Sequence, residues 1–227
     1  SGGKLRDSDE LLIEEKLLEI SADTYDENRE VNLAALSGEG DYVKKALSIL
    51  PENALSGWSI VLDTANGSSY RTSLNVMRKL GADVIHLGDT PDGTNINAGV
   101  GSEYPGKLAE RVRQERAQVG VAHDGDADRV VLCDEQGKVL DGDEIMTILA
   151  LHALKKGKLN QKTLVVTVMS NLGVRSAIEK NGGYVIETAV GDRYVSEVMS
   201  RDGYNLGGES SGHIIIGDLS PSGDGLA

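Results

Sequence analysis

At 227 residues, 39% hydrophobic and 26% charged, the chain has an ordinary globular composition and the length for one large domain or two small ones. A formal net charge of −13 argues against nucleic acid as a partner, and no apolar run nears the ~18 residues needed to cross a bilayer. The single cysteine, Cys133, cannot close an internal disulfide and suits a reducing cytoplasm; with no basic and then apolar leader, export is not expected.

The opening Ser1-Gly2-Gly3 leads to Asp7-Ser8-Asp9-Glu10 and an apolar-periodic run from Leu11 to Ile20, a capped helix with acid at its positive end. After a polar stretch, a second helix is predicted from about Asp41 to Leu50. From Gly57 the pattern becomes strand and helix in alternation. Strands are expected at Ser59–Asp63, Ala82–Leu87 and Gln118–His123, with helices at Ser69–Leu80 and near Gly106–Arg116. Val130–Cys133 and Val139–Leu140 read as a hairpin, followed by a helix over Asp143–Lys156. The polar run Lys155 to Asn160 is the candidate domain boundary, and after it the alternation restarts. Strands are expected at Thr163–Met169, Tyr184–Thr188 and His213–Ile216, and helices at Asn171–Asn181 and Asp192–Arg201. Residues 222–227 read as the start of another helix. Apolar strands alternating with helices predict mixed, mostly parallel sheets covered by helices, in two consecutive related α/β domains. The expected division is a helical tail and linker over 1–50, then α/β domains over 51–157 and 158–227.

Asp124-Gly125-Asp126-Ala127-Asp128-Arg129 carries the sharpest chemistry. Carboxylates at every second position, separated by Gly and Ala, can converge their oxygens, and would repel one another without a cation between them. Hard oxygen ligands select Mg²⁺ or Ca²⁺. An EF-hand is rejected because Arg129 stands where its sixth-position glycine belongs and the flanks read as strands. The bland alternative is a solvated acidic turn; Arg129 next door adds a fixed donor for a phosphate oxygen.

Leu206-Gly207-Gly208-Glu209-Ser210-Ser211-Gly212-His213 is the second constellation. Its glycines would let backbone approach a ligand, while Glu209 and Ser211 could hold neighbouring sugar hydroxyls and His213 could move a proton. A glycine-rich hairpin with His213 packed at a strand start is the alternative. Asp192 reads most simply as a helix N-cap, and Arg193 in the following turn could meet an anion. Ser170-Asn171 reads as another cap. Asp63 and Asn66-Gly67 end a strand, but the glycine fingerprint of a dinucleotide site is missing.

The metal loop matches the Asp-Gly-Asp-x-Asp-Arg of the α-D-phosphohexomutase superfamily, and Gly208 to His213 matches its Gly-Glu-x-Ser-Gly-His. Val190-Gly191-Asp192-Arg193-Tyr194-Val195 and Ser222-Gly223-Asp224-Gly225-Leu226 most resemble its phosphoglucosamine mutase branch, although Ser210 stands where that branch usually has Gln. The resemblance implies interconversion of glucosamine 6-phosphate and glucosamine 1-phosphate through a phosphoserine enzyme and a bisphosphate. It implies Mg²⁺ on Asp124, Asp126 and Asp128, catalytic Arg129 and His213, and substrate contacts from Gly208, Glu209, Ser211 and Arg193. Glucosamine phosphates are the implied partners, with no nucleic acid or membrane, and a homodimer of the full-length enzyme is left open. The family's Ser-His-Asn-Pro and Arg-x-Ser-Gly-Thr motifs do not occur, so the chain is expected to be a central fragment without mutase activity alone. The rival readings are a phosphomannomutase or phosphoglucomutase of the same superfamily, a calcium-binding module and a nucleotide binder.

Overall fold

The computed structural model describes residue 5, residues 7–20 and residues 38–227, so the opening Ser1-Gly2-Gly3 and most of the polar stretch after the first helix lie outside the described residues. The chain divides into two units, residues 1–38 and 39–227. In the first, helix α1 spans Asp7–Glu19 where the apolar run places it, with Leu11, Leu12, Ile13, Leu17 and Leu18 exposed.

The second unit begins with α2 (Gly38–Leu47, its first residue counted in unit one), three residues short of the expected C-terminus. It then builds two sheets by the same route. The first contains β1 (Ser59–Asp63), β2 (Asp83–Leu87), β3 (Val119–His123), β4 (Val130–Asp134) and β5 (Val139–Leu140), in the order β2-β1-β3-β4-β5. Strands β2, β1 and β3 are parallel, while β4 runs antiparallel to β3 and β5 antiparallel to β4. Helices α3 (Thr72–Lys79) and α4 (Gly106–Glu115) make the crossovers, and a 3-10 turn at Ser68–Tyr70 replaces the first turn expected of α3.

The second sheet contains β6 (Thr163–Thr167), β7 (Tyr184–Thr188), β8 (Leu206–Gly208) and β9 (Ile214–Ile216), ordered β7-β6-β8-β9. Again three strands are parallel and the last returns antiparallel, with α6 (Leu172–Lys180) and α7 (Asp192–Asp202) as crossovers. The two sheets therefore repeat one plan, with β6, β7, β8 and β9 standing in the places of β1, β2, β3 and β4. Strand β8 is the element that the sequence pattern did not predict. Its three residues include two glycines, which carry no side chain for a period-two signal to register. The expected helix start at 222–227 is instead a series of turns.

Each strand's alternation sorts its side chains between two layers. Ile60 and Leu62 join Leu164 and Val166 in one continuous core, while Val61 packs beneath α4 with Leu108 and Val112, and Val165 beneath α7 with Val195 and Met199. Helix α5 (Gly142–Lys156) inserts Ile145, Met146 and Ala150 into the shared core, so it belongs energetically to both sheets. Its start is held by a capping box, with Asp141 accepting from the Glu144 amide at 3.0 Å and Glu144 answering to the Asp141 amide at 3.4 Å. Gly157 closes it in the left-handed conformation after Lys155 and Lys156, which suit the negative end of the helix.

Candidate active site

In an open α/β sheet the crevice opens where neighbouring strands send their connections to opposite sides, at their C-terminal ends. Here those points lie between β1 and β3 and between β6 and β8. Residues Asp124–Arg129 join β3 to β4, and Glu209–His213 join β8 to β9, so the two constellations occupy the same station in the two repeats.

Between strands rather than helices, the metal loop curls tightly. The Ala127 amide donates to the Asp124 carbonyl at 3.2 Å, and Ala127 takes a positive φ of 63°. The Ser68 amide holds the Gly125 carbonyl at 2.8 Å, with the backbone of Gly67 packed directly on Gly125. Each of Asp124, Asp126 and Asp128 thereby brings a carboxylate oxygen within 4.8 Å of the others, a set that can hold a metal ion. Asp124 is 5% exposed. Burial pushes its carboxyl above the usual range, with Asp128 and Asp126 adding to the rise and the Arg129 amide and guanidinium opposing it. Arg129 Nε lies 3.4 Å from Asp124 and 3.7 Å from Asp128, so the guanidinium partly neutralises the loop. Asp128 Oδ1, the oxygen facing Arg129 Nε, is buried and makes no hydrogen bond, an acceptor with capacity left for a cation. The donor set thus fits a hard divalent ion.

The ring of His123, which precedes the loop, is wholly enclosed between the Ser73 hydroxyl at 3.2 Å and the Arg129 carbonyl at 3.4 Å. Burial lowers its pKa. Asp63, at the end of β1, is equally buried; it accepts from the amides of Ala65 and Gly101 and serves as a strand-end clasp.

The glycine-framed segment is a hairpin whose glycines answer to internal packing. A side chain on Gly207 would meet Met199 and Val195 of α7, one on Gly208 would meet Met146 and the β9 backbone, and one on Gly212 would strike the Val130 carbonyl. Gly208 therefore lies buried inside β8, while Glu209 and Ser211 stand at the hairpin tip. Glu209 accepts from the Gly191 amide at 2.9 Å, and its other oxygen faces the Ser211 hydroxyl at 3.4 Å. Both oxygens retain further lone pairs for a ligand. The same contact ties the hairpin to the start of α7, where the structure corrects the sequence reading: Gly191 is the N-cap and Asp192 the first helical residue. Arg193 follows in that first turn, its guanidinium 5.4 Å from the Tyr194 ring centre. Asn171 does cap α6, accepting from the Gly173 amide at 2.8 Å.

The two loops meet edge to edge. Arg129 and His213, each the last residue before a returning strand, pair in an antiparallel bridge, and the Val130 amide donates to the Gly212 carbonyl at 3.0 Å. His213 is 3% exposed, with Nδ1 3.1 Å from Asp128 and Nε2 3.3 Å from Asp192. The segment 223–225 runs across the metal loop, the Gly225 amide donating to the Ala127 carbonyl at 3.0 Å, and Asp224 accepts from Tyr42 at 2.8 Å. That burial and the neighbouring carboxylate raise the Tyr42 pKa well above its ordinary value. Asp192 and the 223–225 crossing are the participants that sequence reasoning missed; the quoted Gly-Asp-Arg and Gly-Asp-Gly strings contained them without showing what they touch.

Fold and site together define the class: paired, related α/β domains in which an acidic loop able to hold a metal ion on one abuts a polar glycine hairpin on the other. Residues 40–137 match the model of phosphoglucomutase/phosphomannomutase alpha/beta/alpha domain II, and residues 141–227 that of domain III. The chain belongs to the phosphoglucomutase/phosphomannomutase family. It is 50% identical over 229 residues to a phosphoglucosamine mutase of Geotalea uraniireducens, an alignment covering 99% of this chain and 50% of that protein. The chain thus spans about half the length of that curated relative. Among solved structures, a phosphoglucomutase/phosphomannomutase family protein of Burkholderia thailandensis superposes with a TM-score of 0.73 at 22% identity, over 83% of this chain and 41% of that one. An Aspergillus fumigatus N-acetylphosphoglucosamine mutase, crystallised with GlcNAc-6P and magnesium, gives 0.56 at 24% identity, over 78% and 37%.

Proposed function

We propose that this chain is the metal-binding and sugar-gripping centre of a phosphosugar mutase that interconverts glucosamine 6-phosphate and glucosamine 1-phosphate through a phosphoserine enzyme and a bisphosphate intermediate. The observation that supports the reading is the joining of the acidic loop and the glycine hairpin at Arg129 and His213 on one edge. The 50% identity to a phosphoglucosamine mutase supports that branch.

On this reading Asp124, Asp126 and Asp128 hold Mg²⁺, which supplies charge neutralisation for phosphoryl transfer. Such transfer needs positioning and electrostatics more than covalent help. Arg129, now directed at the carboxylates, is placed to steady a phosphate beside them. Glu209 and Ser211 accept and donate to the sugar hydroxyls, Gly208 sets the hairpin's approach, and Arg193 meets a phosphate oxygen. His213 is the proton-handling group nearest both loops. The domain division expected at about residue 157, after α5, differs from the family-model match, which begins domain III at residue 141 and so includes α5; the absence of turnover by residues 1–227 alone belongs to the same proposal.

The test is a ³¹P NMR assay on residues 1–227 joined to a phosphoserine-bearing first domain and a phosphate-binding fourth domain of a relative. Glucosamine phosphates should interconvert with Mg²⁺, and residues 1–227 alone should give no multiple turnover. Faster turnover of mannose or glucose phosphates would move the assignment to another branch, and no turnover of any hexose phosphate would end it.

A further inference from the structure

His213 spans two elements that are far apart in sequence. Its Nδ1 faces Oδ2 of Asp128 at 3.1 Å, and its Nε2 lies at an ion-pair distance of 3.3 Å from Oδ2 of Asp192, the first residue of α7, without the geometry of a hydrogen bond. The ring has little room to move. Its backbone is pinned by the bridge to Arg129, and the chain at Gly223 lies so close that a single added Cβ would stand 2.5 Å from Cε1 and Nε2. Asp128 divides its two oxygens accordingly: Oδ2 takes the imidazole, while Oδ1 is buried without a hydrogen bond beside the other carboxylates. With Oδ1 lying 3.7 Å from Arg129 Nε, the contact at Oδ2 sets how this carboxylate is turned within the acidic trio.

We infer that Asp192 is a positioning residue for the metal site, acting from α7 through His213 to fix the carboxylate of Asp128. The inference rests on the metal reading above and extends it: the cation's affinity depends on a side chain of the sugar-binding half that does not itself belong to the acidic trio. Groups that orient metal ligands in this way commonly govern affinity by about ten- to a hundredfold. The ring is also a physical link between the two loops, because any displacement of α7 that moves Asp192 is transmitted to Asp128.

The test uses residues 1–227 and Mn²⁺ as the probe, with binding read by electron paramagnetic resonance and folding by thermal denaturation. Asp192→Ala should weaken Mn²⁺ binding about tenfold. Asp192→Glu, which keeps a carboxylate facing the ring and the charge at the helix N-terminus, should restore it to within about threefold of the starting protein. In a His213→Gln background, Asp192→Ala should have no further effect on Mn²⁺. Unchanged affinity in Asp192→Ala, an equal loss in Asp192→Glu, or the same loss in the His213→Gln background would each overturn the inference. If the unaltered chain binds no Mn²⁺, the metal assignment fails first and the inference with it; binding by the unaltered chain and by Asp192→Ala alike removes the inference alone.

Discussion

Asp124 sits where burial and function pull against each other. With its pKa raised by burial, the folded chain holds the proton more tightly than the unfolded chain does. Its contribution to stability is accordingly greatest in acid and declines as pH rises from about 4 through the raised value, so at neutral pH the ionised carboxylate opposes folding. Asp124→Asn should therefore raise the thermal midpoint of the metal-free chain at pH 7 while abolishing its response to MgCl₂. A lower midpoint without metal would show that the contacts to Arg129 outweigh desolvation. The acidic alternation was plain in the residues, but which carboxylate was buried was not. That depends on β3 ending at His123 and on Gly67 closing over Gly125, neither of which is encoded in the loop itself.

At the scale of elements, two glycines of ordinary appearance have opposite roles. Gly207 in β8 leaves space that α7 fills, since an added Cβ would stand 2.7 Å from Met199 Sδ and 2.9 Å from Val195 Cγ1. Gly207→Ala should cost about 1–3 kcal/mol by overpacking. Gly106, at the start of α4, has open space about it, and Gly106→Ala should gain about 0.5 kcal/mol from helix propensity. Urea denaturation of the two variants measures both signs; equal effects would mean that β8 and α7 are not packed as described. Long apolar strands and amphipathic helices were legible because each carries its period within one segment. β8 was not, because three residues with two glycines become a strand only when β6 and β9 flank them.

Taken whole, the second unit is one plan used twice, welded by the shared helix α5 and by the junction of the metal loop with the hairpin. A cation bound at that junction stabilises whatever the junction joins, by about 2.7 kcal/mol when its concentration is a hundred times its dissociation constant. Mg²⁺ should therefore raise the unfolding midpoint of residues 1–227, and excess EDTA should return it. Ca²⁺ raising it at far lower concentration than Mg²⁺ would instead favour the calcium-binding module.

The order of residues was enough to establish that this is an α/β chain carrying a loop of alternating carboxylates and a polar glycine hairpin, because spacing along a strand or helix dictates which side chains can converge nearby. It could not disclose that Asp128, His213 and Asp192 share one contact, or that Gly208 is buried in a strand. Those facts arise when segments distant along the chain pack together, and packing is a property of the surfaces that meet rather than of any one segment's pattern.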